Sequence, residues 1–541
     1  MTSIGRLWRT ARHLRWEQLA LRPLHRLRTP TIAPRAPPPV RPLTGPWIIP
    51  PARAPSLVGP AAFSLLGETR ALDDVGWDNP RVPLLWRYHQ HYFDDLTASG
   101  AATRATWHAA LVQRWLAENP PPRGTAWAPY PTSLRLVNWI KWLVGGAVAG
   151  PRVLESLAHQ TRWLRARLEW HVLGNHLFVN AKALVLAGRF FTGDEADAWT
   201  AQGVAILTRE LPEQILEDGG QFERSPMYQA LALEDVLDLV NIVRASGSAP
   251  PTLARFRDRL CALAPRMHRW LRLLTHPDAT LVRFNDTADG IAPPVSELDR
   301  YAAALGLAGE EPTRAGLTPL FPSGYVRAAF GDAVAFLDVA PVAPDYLMAH
   351  GHADTLSFEL SLRGRRLIVN GGTSRYGTDA ERVRERGTAA HSTVVVDGQD
   401  SSEVWSGFRV GRRARVHDVT VGASSVAATH DGYAHLRGAP RHTRTWTFTE
   451  AGMTVDDAVR PAPRTALARF HLASGLHTVL DSASTARVVD GEREVARVTV
   501  TGGRVTRGLS RTSPSFGVVV PGESLDVELV DGRATTAWTW A

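Results

Sequence analysis

The 541-residue chain has a single cysteine, Cys261, and no run of about eighteen consecutive apolar residues. One cysteine excludes a disulfide within the chain and leaves the redox compartment open. The lack of a long apolar run predicts that no helix crosses a membrane. Hydrophobic residues make up 44% of the chain and charged residues 21%, as is usual for a globular protein. At this length we expect two large domains rather than one.

Lysine is also scarce, so arginine supplies nearly all of the 61 basic residues, against 53 acidic ones. The formal net charge of +8 suits an acidic partner, such as a nucleic acid, an anionic lipid surface or a uronic-acid polysaccharide. An arginine-rich coding bias explains the same charge equally well. Because no nucleic-acid-binding motif accompanies it, we expect no nucleic acid as a partner.

Residues 1–79 read as a basic, proline-rich N-terminal extension. The first thirty residues are amphipathic but lack a continuous apolar core and a small-residue cleavage site, so they do not resemble a secretory signal. Their pattern fits a helix on a membrane surface or, more readily, a helix packed on the protein's own body. Proline dominates residues 29–60 and predicts an extended connector. We expect a cytoplasmic or peripheral inner-membrane protein, with the periplasm as the alternative.

The periodicity of apolar residues changes near residue 316. Before it, apolar side chains recur at three- and four-residue intervals in segments 105–119, 131–148, 152–170, 176–191, 196–217, 226–246 and 252–274. After it, short alternating segments are separated by Gly, Asp and Asn. The pattern predicts an α+β multidomain protein, with an incomplete (α/α) toroid over residues 80–315, an antiparallel β-sandwich over residues 316–541 and a cleft between them.

Three histidines, His350, His352 and His391, surround predicted strands between residues 350 and 398. Residues two apart on a strand face the same way, so His350 and His352 form an imidazole pair if the strand begins that early. Three neighbouring strands can bring His352, Asn370 and His391 together, and two imidazoles with an oxygen donor suit zinc. Polar residues at the edge of a sheet core are an equally good interpretation.

Two stretches in the helical half place reactive side chains at predicted helix starts. In WHVLGNHLFVN, Gly174 ends one helix, and Asn175 and His176 open the next. In DGGQFERSPMY, Ser225 precedes a proline at a helix start, which places Tyr228 in the first turn. The simpler interpretation is that Asn175 and His176 are capping residues and Tyr228 a packing residue.

Seven motifs then follow one another between about residues 80 and 460: RYHQHYFDDL, WAPYPTSLRLVNW, LGNHLFVNAKALVLAG, DGGQFERSPMYQALALEDVLDL, FND, HGHADTLSFEL and RGTAAHSTVVVDGQDSSEVWSGFRVGRRARV. Together they resemble the heparinase II/III-like superfamily of polysaccharide lyases. The fold of that superfamily, an α/α toroid followed by an antiparallel β-sandwich, agrees with the architecture predicted from the pattern.

The resemblance implies β-elimination at a uronic acid, in which the C5 proton is removed, charge builds on the carboxylate and the C4 oxygen leaves. Asn175 matches the residue that neutralises the carboxylate, and His176 and Tyr228 match residues used as base or acid. His350 matches the histidine that faces the cleft from the β-domain. A tyrosine with a pKa of about 10 is a poor base, so we expect His176, His350 and Arg375 to assist Tyr228.

Other residues are expected to bind substrate or metal. Arg375 and Tyr376 match the loop that contacts substrate, and we expect Arg135 and Glu223 to contribute to substrate binding. His352 and His391 match zinc ligands of several relatives. The usual third ligand, an aspartate, is replaced by Asn370, a weaker neutral donor, so structural zinc is one of two open alternatives. No organic cofactor is expected.

The sequence therefore favours a lyase acting on an acidic polysaccharide and leaves two alternatives. Glu217, Asp218 and Glu223 near Tyr228 keep a glycan hydrolase open, because hydrolysis uses paired carboxylates. A non-catalytic glycan-binding protein of the same fold is the third hypothesis, although such a protein need not keep an acid and a base. The identity of the sugar, endo or exo action and the oligomeric state do not follow from the sequence.

Overall fold

The computed structural model describes residues 4–27, 29–148, 150–247, 249–313 and 315–541. In these ranges most of the helices precede residue 305. The α-helices are α1 Ile4–Ala11, α2 Trp16–Leu27, α3 Leu72–Val75, α4 Leu84–Gln90, α5 Ala105–Glu118, α6 Pro129–Val144, α7 Pro151–Ala166, α8 Gly174–Phe190, α9 Asp194–Gln214, α10 Pro226–Ala245, α11 Pro251–Leu273, α12 Val295–Ala304 and α13 Ala380–Arg386. Short 3-10 helices span Asp94–Thr97, Ala101–Arg104, Thr125–Trp127 and Thr388–Ala390.

Helix α8 is the centre of the toroid, and it packs against α6, α7, α9 and α10. Nearly all of its side chains are buried, which explains why its apolar residues surround the helix rather than forming one stripe, with Asn180, Lys182 and Arg189 as buried polar exceptions. Several of the surrounding helices begin at a proline, whose fixed φ suits the first helical position. The seven helices predicted from periodicity are all present, with ends displaced by a few residues.

The strands of the described residues lie mainly after residue 315. They are β1 Leu57–Gly59, β2 Ala62–Leu65, β3 Glu68–Ala71, β4 Gly316–Leu320, β5 Tyr325–Phe330, β6 Ala333–Asp338, β7 Phe358–Leu362, β8 Arg365–Val369, β9 Val394–Val396, β10 Val404–Trp405, β11 Arg409–Val410, β12 Val416–Val421, β13 Ser425–His430, β14 Arg441–Thr449, β15 Gly452–Arg460, β16 Ala466–Leu472, β17 Leu476–Leu480, β18 Thr485–Asp490, β19 Arg493–Thr501, β20 Gly503–Thr512, β21 Val520–Leu529 and β22 Arg533–Trp540.

Two large antiparallel sheets form the C-terminal domain. One has the order β12-β13-β14-β15-β22-β19-β18-β17, and the other the order β20-β21-β16-β8-β7-β6-β5-β4 with β9 also paired to β16. Alternate residues of both sheets point into one buried core, where Phe358, Phe470 and Trp538 are in contact. The predicted toroid followed by an antiparallel β-sandwich is confirmed.

The core of the toroid begins earlier in the chain than the predicted boundary at residue 80. Strands β1 to β3 form a small sheet, and Leu57, Phe63, Leu65 and Leu72 belong to the same buried cluster as the toroid helices. The proline-rich segment before them is extended and lies against the helices, where Arg162 donates to the carbonyl oxygens of residues 35 and 36. No described helix is long and apolar enough to cross a membrane.

The two domains share a separate buried cluster. Trp270 and Phe284 from the end of the toroid pack against Tyr325 and Phe336 from the sandwich. The Phe284 and Tyr325 rings are stacked with centroids 5.0 Å apart. This packing joins the toroid to the sandwich, and a cleft lies between them.

Candidate active site

A cavity of about 500 Å³ lies between the toroid and the sandwich. Both domains contribute polar side chains to its wall, and the segment before β1 contributes one arginine. The lining residues include Arg53, Tyr130, Lys141, Asn175, His176, Lys182, Tyr228, Glu234, Asp235, His350, Tyr376, Phe408 and Phe516. Asn175, His176, Tyr228 and His350, which are distant in sequence, therefore face one space.

A tight turn before α8 delivers Asn175 and His176 to the cavity. Leu173 and Gly174 both have positive φ values, 67° and 55°. A Cβ atom on Gly174 would lie 2.3 Å from Cδ2 of Leu347, so a larger residue would displace that side chain and would also be strained at this positive φ. The helix then presents its positive N-terminal end to the cavity, which favours a bound carboxylate.

His176 is held by a carboxylate. Its Nδ1 lies 3.1 Å from Oε1 of Glu169, and Asn180 donates to the other oxygen of that carboxylate. The Tyr130 ring packs on the imidazole with centroids 4.4 Å apart. Burial disfavours the charged imidazole, but the charge of Glu169 outweighs it and raises the pKa of His176. Because Glu169 occupies Nδ1, Nε2 is the ring nitrogen left to act on a ligand.

Tyr228 lies in the first turn of α10, as predicted, and Ser225 caps that turn by accepting from the Tyr228 amide. Its hydroxyl is 3.4 Å from that of Tyr376, and its ring lies 4.1 Å from the His350 ring. Burial and the neighbouring Tyr376 hydroxyl raise the pKa of Tyr228 well above its usual value. Of the three residues expected to assist Tyr228, His176 and His350 line the same cavity, whereas Arg375 is exposed on its loop and does not line it.

Asp286, to which the sequence pattern assigned no role, organises the histidines of the sandwich. Its carboxylate lies 2.8 Å from Nδ1 of His350 and 2.8 Å from Nε2 of His352, and it accepts two hydrogen bonds from Arg382. Burial opposes ionisation, but the charge of Arg382 outweighs it and holds the pKa of Asp286 well below its usual range. Asp286 is the last residue of the FND motif, and its place in that motif was the one sequence signal that could have pointed to a role for it.

The shared hydrogen bonding to Asp286 is also why His350 and His352 lie together. The strand predicted to carry them begins only at Phe358, so they occupy the loop before it. A period of two along a strand therefore does not explain their proximity. Their side chains are brought together by one buried carboxylate from the toroid end of the chain.

Two predicted substrate ligands are not accessible to substrate. Arg135 is completely buried, donates to Gln160 and to the carbonyl of Ala126, and stacks on Trp115, so its predicted substrate contact is wrong. Glu223 lies behind the cavity wall, with Oε2 3.7 Å from Nε2 of His350 and with no hydrogen bond to that oxygen from the described residues. Burial raises the pKa of Glu223.

The predicted metal cluster is only partly suited to zinc. His352 Nδ1 and His391 Nε2 are 3.3 Å apart, a separation that two ligands of one tetrahedral ion have when each bond is about 2.1 Å. The Asn370 amide is already engaged, since it accepts from the Ser392 amide and donates to Ser357. No group of three His, Cys, Asp or Glu side chains within the described ranges could hold a metal ion. These donors do not complete a zinc site.

The carboxylates that kept hydrolysis open do not form a catalytic pair. Glu217 is exposed, and Asp218 accepts from the amide and hydroxyl of Ser323, so neither lines the cavity. Three acids do line it: Glu234 is paired with Arg53 and Lys141, Asp235 with Lys182 at 2.6 Å, and Asp94 accepts a hydrogen bond from Asn138. The site thus offers imidazoles, a phenol and an amide rather than two free carboxylates.

Comparison with known protein families agrees with this site. Residues 92–301 match the model described as "Heparinase II/III N-terminus", and residues 313–541 match "Heparinase II/III-like, C-terminal". The chain belongs to the heparinase II/III-like family. Most residues that line the cavity lie in one or the other matched region, so both family domains contribute to it.

Individual relatives are distant. A heparin-sulfate lyase from Bacteroides stercoris is 26% identical over 259 residues, which span 43% of this chain and 37% of that protein. A crystal structure of heparinase III has a TM-score of 0.66 at 17% identity and covers 84% of this chain and 76% of the other. A Streptomyces coelicolor A3 chondroitin AC lyase in complex with chondroitin sulphate has a TM-score of 0.52 at 12% identity, covering 90% and 77%. These structural likenesses extend the shared fold across most of this heparinase II/III-like chain.

Proposed function

We propose that the protein is a polysaccharide lyase that cleaves an acidic, uronic-acid-containing polysaccharide, such as a glycosaminoglycan, by β-elimination. The observation that carries this proposal is the convergence of Asn175, His176, Tyr228 and His350 in one cavity between the two domains. Elimination needs a group that stabilises the carboxylate, a base and an acid, and these side chains can supply all three. The named activity of the lyase relatives supports the same reaction class.

The uronate carboxylate binds at the start of α8. The Asn175 amide donates to it, and the positive end of the helix adds to the stabilisation as negative charge moves from C5 onto the carboxylate. This interaction grows stronger in the transition state than in the bound substrate. It therefore lowers the barrier to removal of the C5 proton.

The proton transfers are divided between His176 and Tyr228. Glu169 occupies Nδ1 of His176, so Nε2 of the neutral imidazole takes the C5 proton. The electron pair left at C5 forms the C4=C5 double bond, and the C4–O4 bond breaks. The Tyr228 phenol, which keeps its proton because its pKa is raised, donates that proton to the leaving O4. Solvent then returns the proton from the imidazole to the phenolate.

His350 positions Tyr228 and is itself held in place by Asp286. With Nδ1 tied to that carboxylate, its ring packs on Tyr228 and fixes the orientation of the phenol. Asp286 and His350 thus form a carboxylate–imidazole pair that positions the acid, Tyr228. Tyr376, whose hydroxyl contacts that of Tyr228, forms the adjoining wall.

The proposal is tested by incubating the purified protein with heparan sulfate, chondroitin sulfate, hyaluronan and alginate, while following ultraviolet absorbance of an unsaturated uronate. We expect absorbance to rise with at least one polymer and His176→Ala to abolish the rise. New reducing ends without absorbance would instead identify a hydrolase. Polymer binding without any new ends would identify a binding protein.

A further inference from the structure

The first two helices turn their apolar side chains towards solvent. Seven large hydrophobic residues of α1 and α2 are exposed: Ile4, Leu7, Trp8, Trp16, Leu19, Leu24 and Leu27. Two of the seven are tryptophans, of which Trp8 is 62% exposed and Trp16 67% exposed. In α1 the apolar residues recur three and four positions apart and so form one stripe. We call the exposed side of α1 and α2 the outer face.

The opposite side of these helices is polar, and it is the side that packs on the protein. In α1, Arg6 and Arg9 bind Glu403 of the sandwich at 2.7–3.0 Å, and Thr10 accepts from the Trp405 indole. A helix on a globular protein normally buries its apolar stripe and exposes its charges. Here the arrangement is reversed, because the charges are used for docking and the apolar stripe has no cover within the described residues.

Helix α2 also docks through polar side chains, which contact both the toroid and the sandwich half of the chain. Gln18 is buried and donates to the carbonyl of Tyr346, and His25 stacks on His171 with centroids 3.9 Å apart. Between the helices, Arg15 pairs with Glu213 and lies over the Tyr346 ring, 3.6 Å from its centroid. The two helices are therefore anchored to both domains, and the outer face is a fixed part of the surface.

The charge beside the apolar residues identifies what this face would bind. Residues 4–27 contain six arginines and one acidic residue, Glu17. Arg12, Arg22 and Arg26 are exposed, and the Arg12 guanidinium lies 5.0 Å from the centroid of the Trp8 ring. Tryptophan and arginine together suit the boundary between lipid headgroups and acyl chains, and cationic side chains are attracted to anionic headgroups.

We propose that the outer face seats the protein on the surface of an anionic lipid bilayer. The helices lie in the plane of the headgroups, Trp8, Trp16 and the leucines enter the acyl boundary, and Arg12, Arg22 and Arg26 contact phosphate groups. This association is independent of polysaccharide cleavage, since the outer face contains none of the cavity residues. If the outer face instead bound a second copy of the chain or another protein, that binding would not depend on lipid charge.

The test is co-sedimentation of the full-length protein with vesicles of phosphatidylcholine alone and of phosphatidylcholine mixed with phosphatidylglycerol. We expect binding to the mixed vesicles only, weakened by added salt. Trp8→Glu with Trp16→Glu should reduce the bound fraction roughly ten-fold or more, since two apolar anchors are removed. Leu509→Glu is the matched control, because Leu509 is 85% exposed on the sandwich and should be replaceable without effect.

Three results would overturn the proposal. They are the absence of binding to mixed vesicles, equal binding to both kinds of vesicle, and unchanged binding by the double tryptophan variant. A dimer in solution that the double variant dissolves would assign the outer face to a second copy instead. Thermal unfolding of the double variant should match that of the unaltered protein, because both side chains project into solvent.

Discussion

Replacing Tyr228 by phenylalanine tests the assignment of the acid most directly. The ring keeps its place against His350, 4.1 Å away, so the packing of this wall is retained. The substitution removes the hydrogen bond between the Tyr228 and Tyr376 hydroxyls, which at 3.4 Å is at the long limit for such a bond. We expect the free energy of unfolding to fall by less than about 1 kcal/mol.

The effect on turnover should be much larger. Loss of a positioned proton donor typically costs about 10²-fold to 10⁴-fold in rate, or roughly 3–5 kcal/mol in the barrier. The assay is the initial rate of unsaturated-uronate absorbance at saturating substrate, with thermal unfolding measured on the same sample. Binding of the polymer should be nearly unchanged, because the phenol acts on the leaving oxygen only in the transition state.

Tyr376→Phe is the matched control for this experiment. It removes the same hydrogen bond from the other side but leaves the Tyr228 proton in place, so its turnover should stay within about ten-fold of normal. Near-normal turnover in Tyr228→Phe would refute the assignment of the acid. Equal losses in both variants would show that the pair of hydroxyls, rather than the Tyr228 proton, matters.

Five further expectations concern the neighbouring residues. Asn175→Ala should lower turnover about 10²-fold to 10³-fold with a smaller change in KM, because the amide acts on developing charge; an effect on KM alone would contradict this. The raised pKa of His176 means that the neutral base forms only as pH rises through that pKa, so kcat/KM should rise over the same interval. Glu169→Gln removes the charge that raises this pKa, and the rise of kcat/KM should move to lower pH; an unmoved profile would exclude His176 as the base. Asp286→Asn should destabilise the protein by about 3–5 kcal/mol in urea unfolding, since it breaks a buried ion pair, and a loss under about 1 kcal/mol would show that the ion pair is dispensable. Asn370→Asp adds the missing anionic donor, so its zinc content by mass spectrometry should exceed that of the unaltered protein, with a higher Tm after zinc addition than before.

The ion pair between His176 and Glu169 also contributes to stability, and the raised pKa of His176 determines how that contribution changes with pH. The folded state holds the proton more tightly than the unfolded state, so the contribution is fully present below the unfolded pKa of about 6.5. It is lost as pH rises through the folded pKa. Activity and this part of the stability therefore change in opposite directions over the same interval.

Local patterns in the chain were enough to predict the architecture and the helix starts of the site. Apolar spacing of three and four along residues 105–274, followed by alternation after residue 316, is local information, because each periodicity belongs to one kind of element. Ser225 before a proline placed Tyr228 in a first turn, and Gly174 marked the break before Asn175, since these signals act within a few residues. In the structure Tyr228 lies in the first turn of α10, but Gly174 is itself the first residue of α8, and the preceding helix α7 already ends at Ala166.

Other properties follow only from the folded arrangement, because they depend on which distant side chains meet. Arg135 and Glu223 lie in motifs with reactive neighbours, yet packing buries one in the toroid core and puts the other behind His350. Asp286 acquires its role by approaching His350, which lies 64 residues away in the chain. Residues 4–27 are amphipathic in sequence, but which side faces the protein depends on the carboxylates available beneath it. Glu403 and Glu213 supply them, so the polar side docks and the apolar side is left exposed.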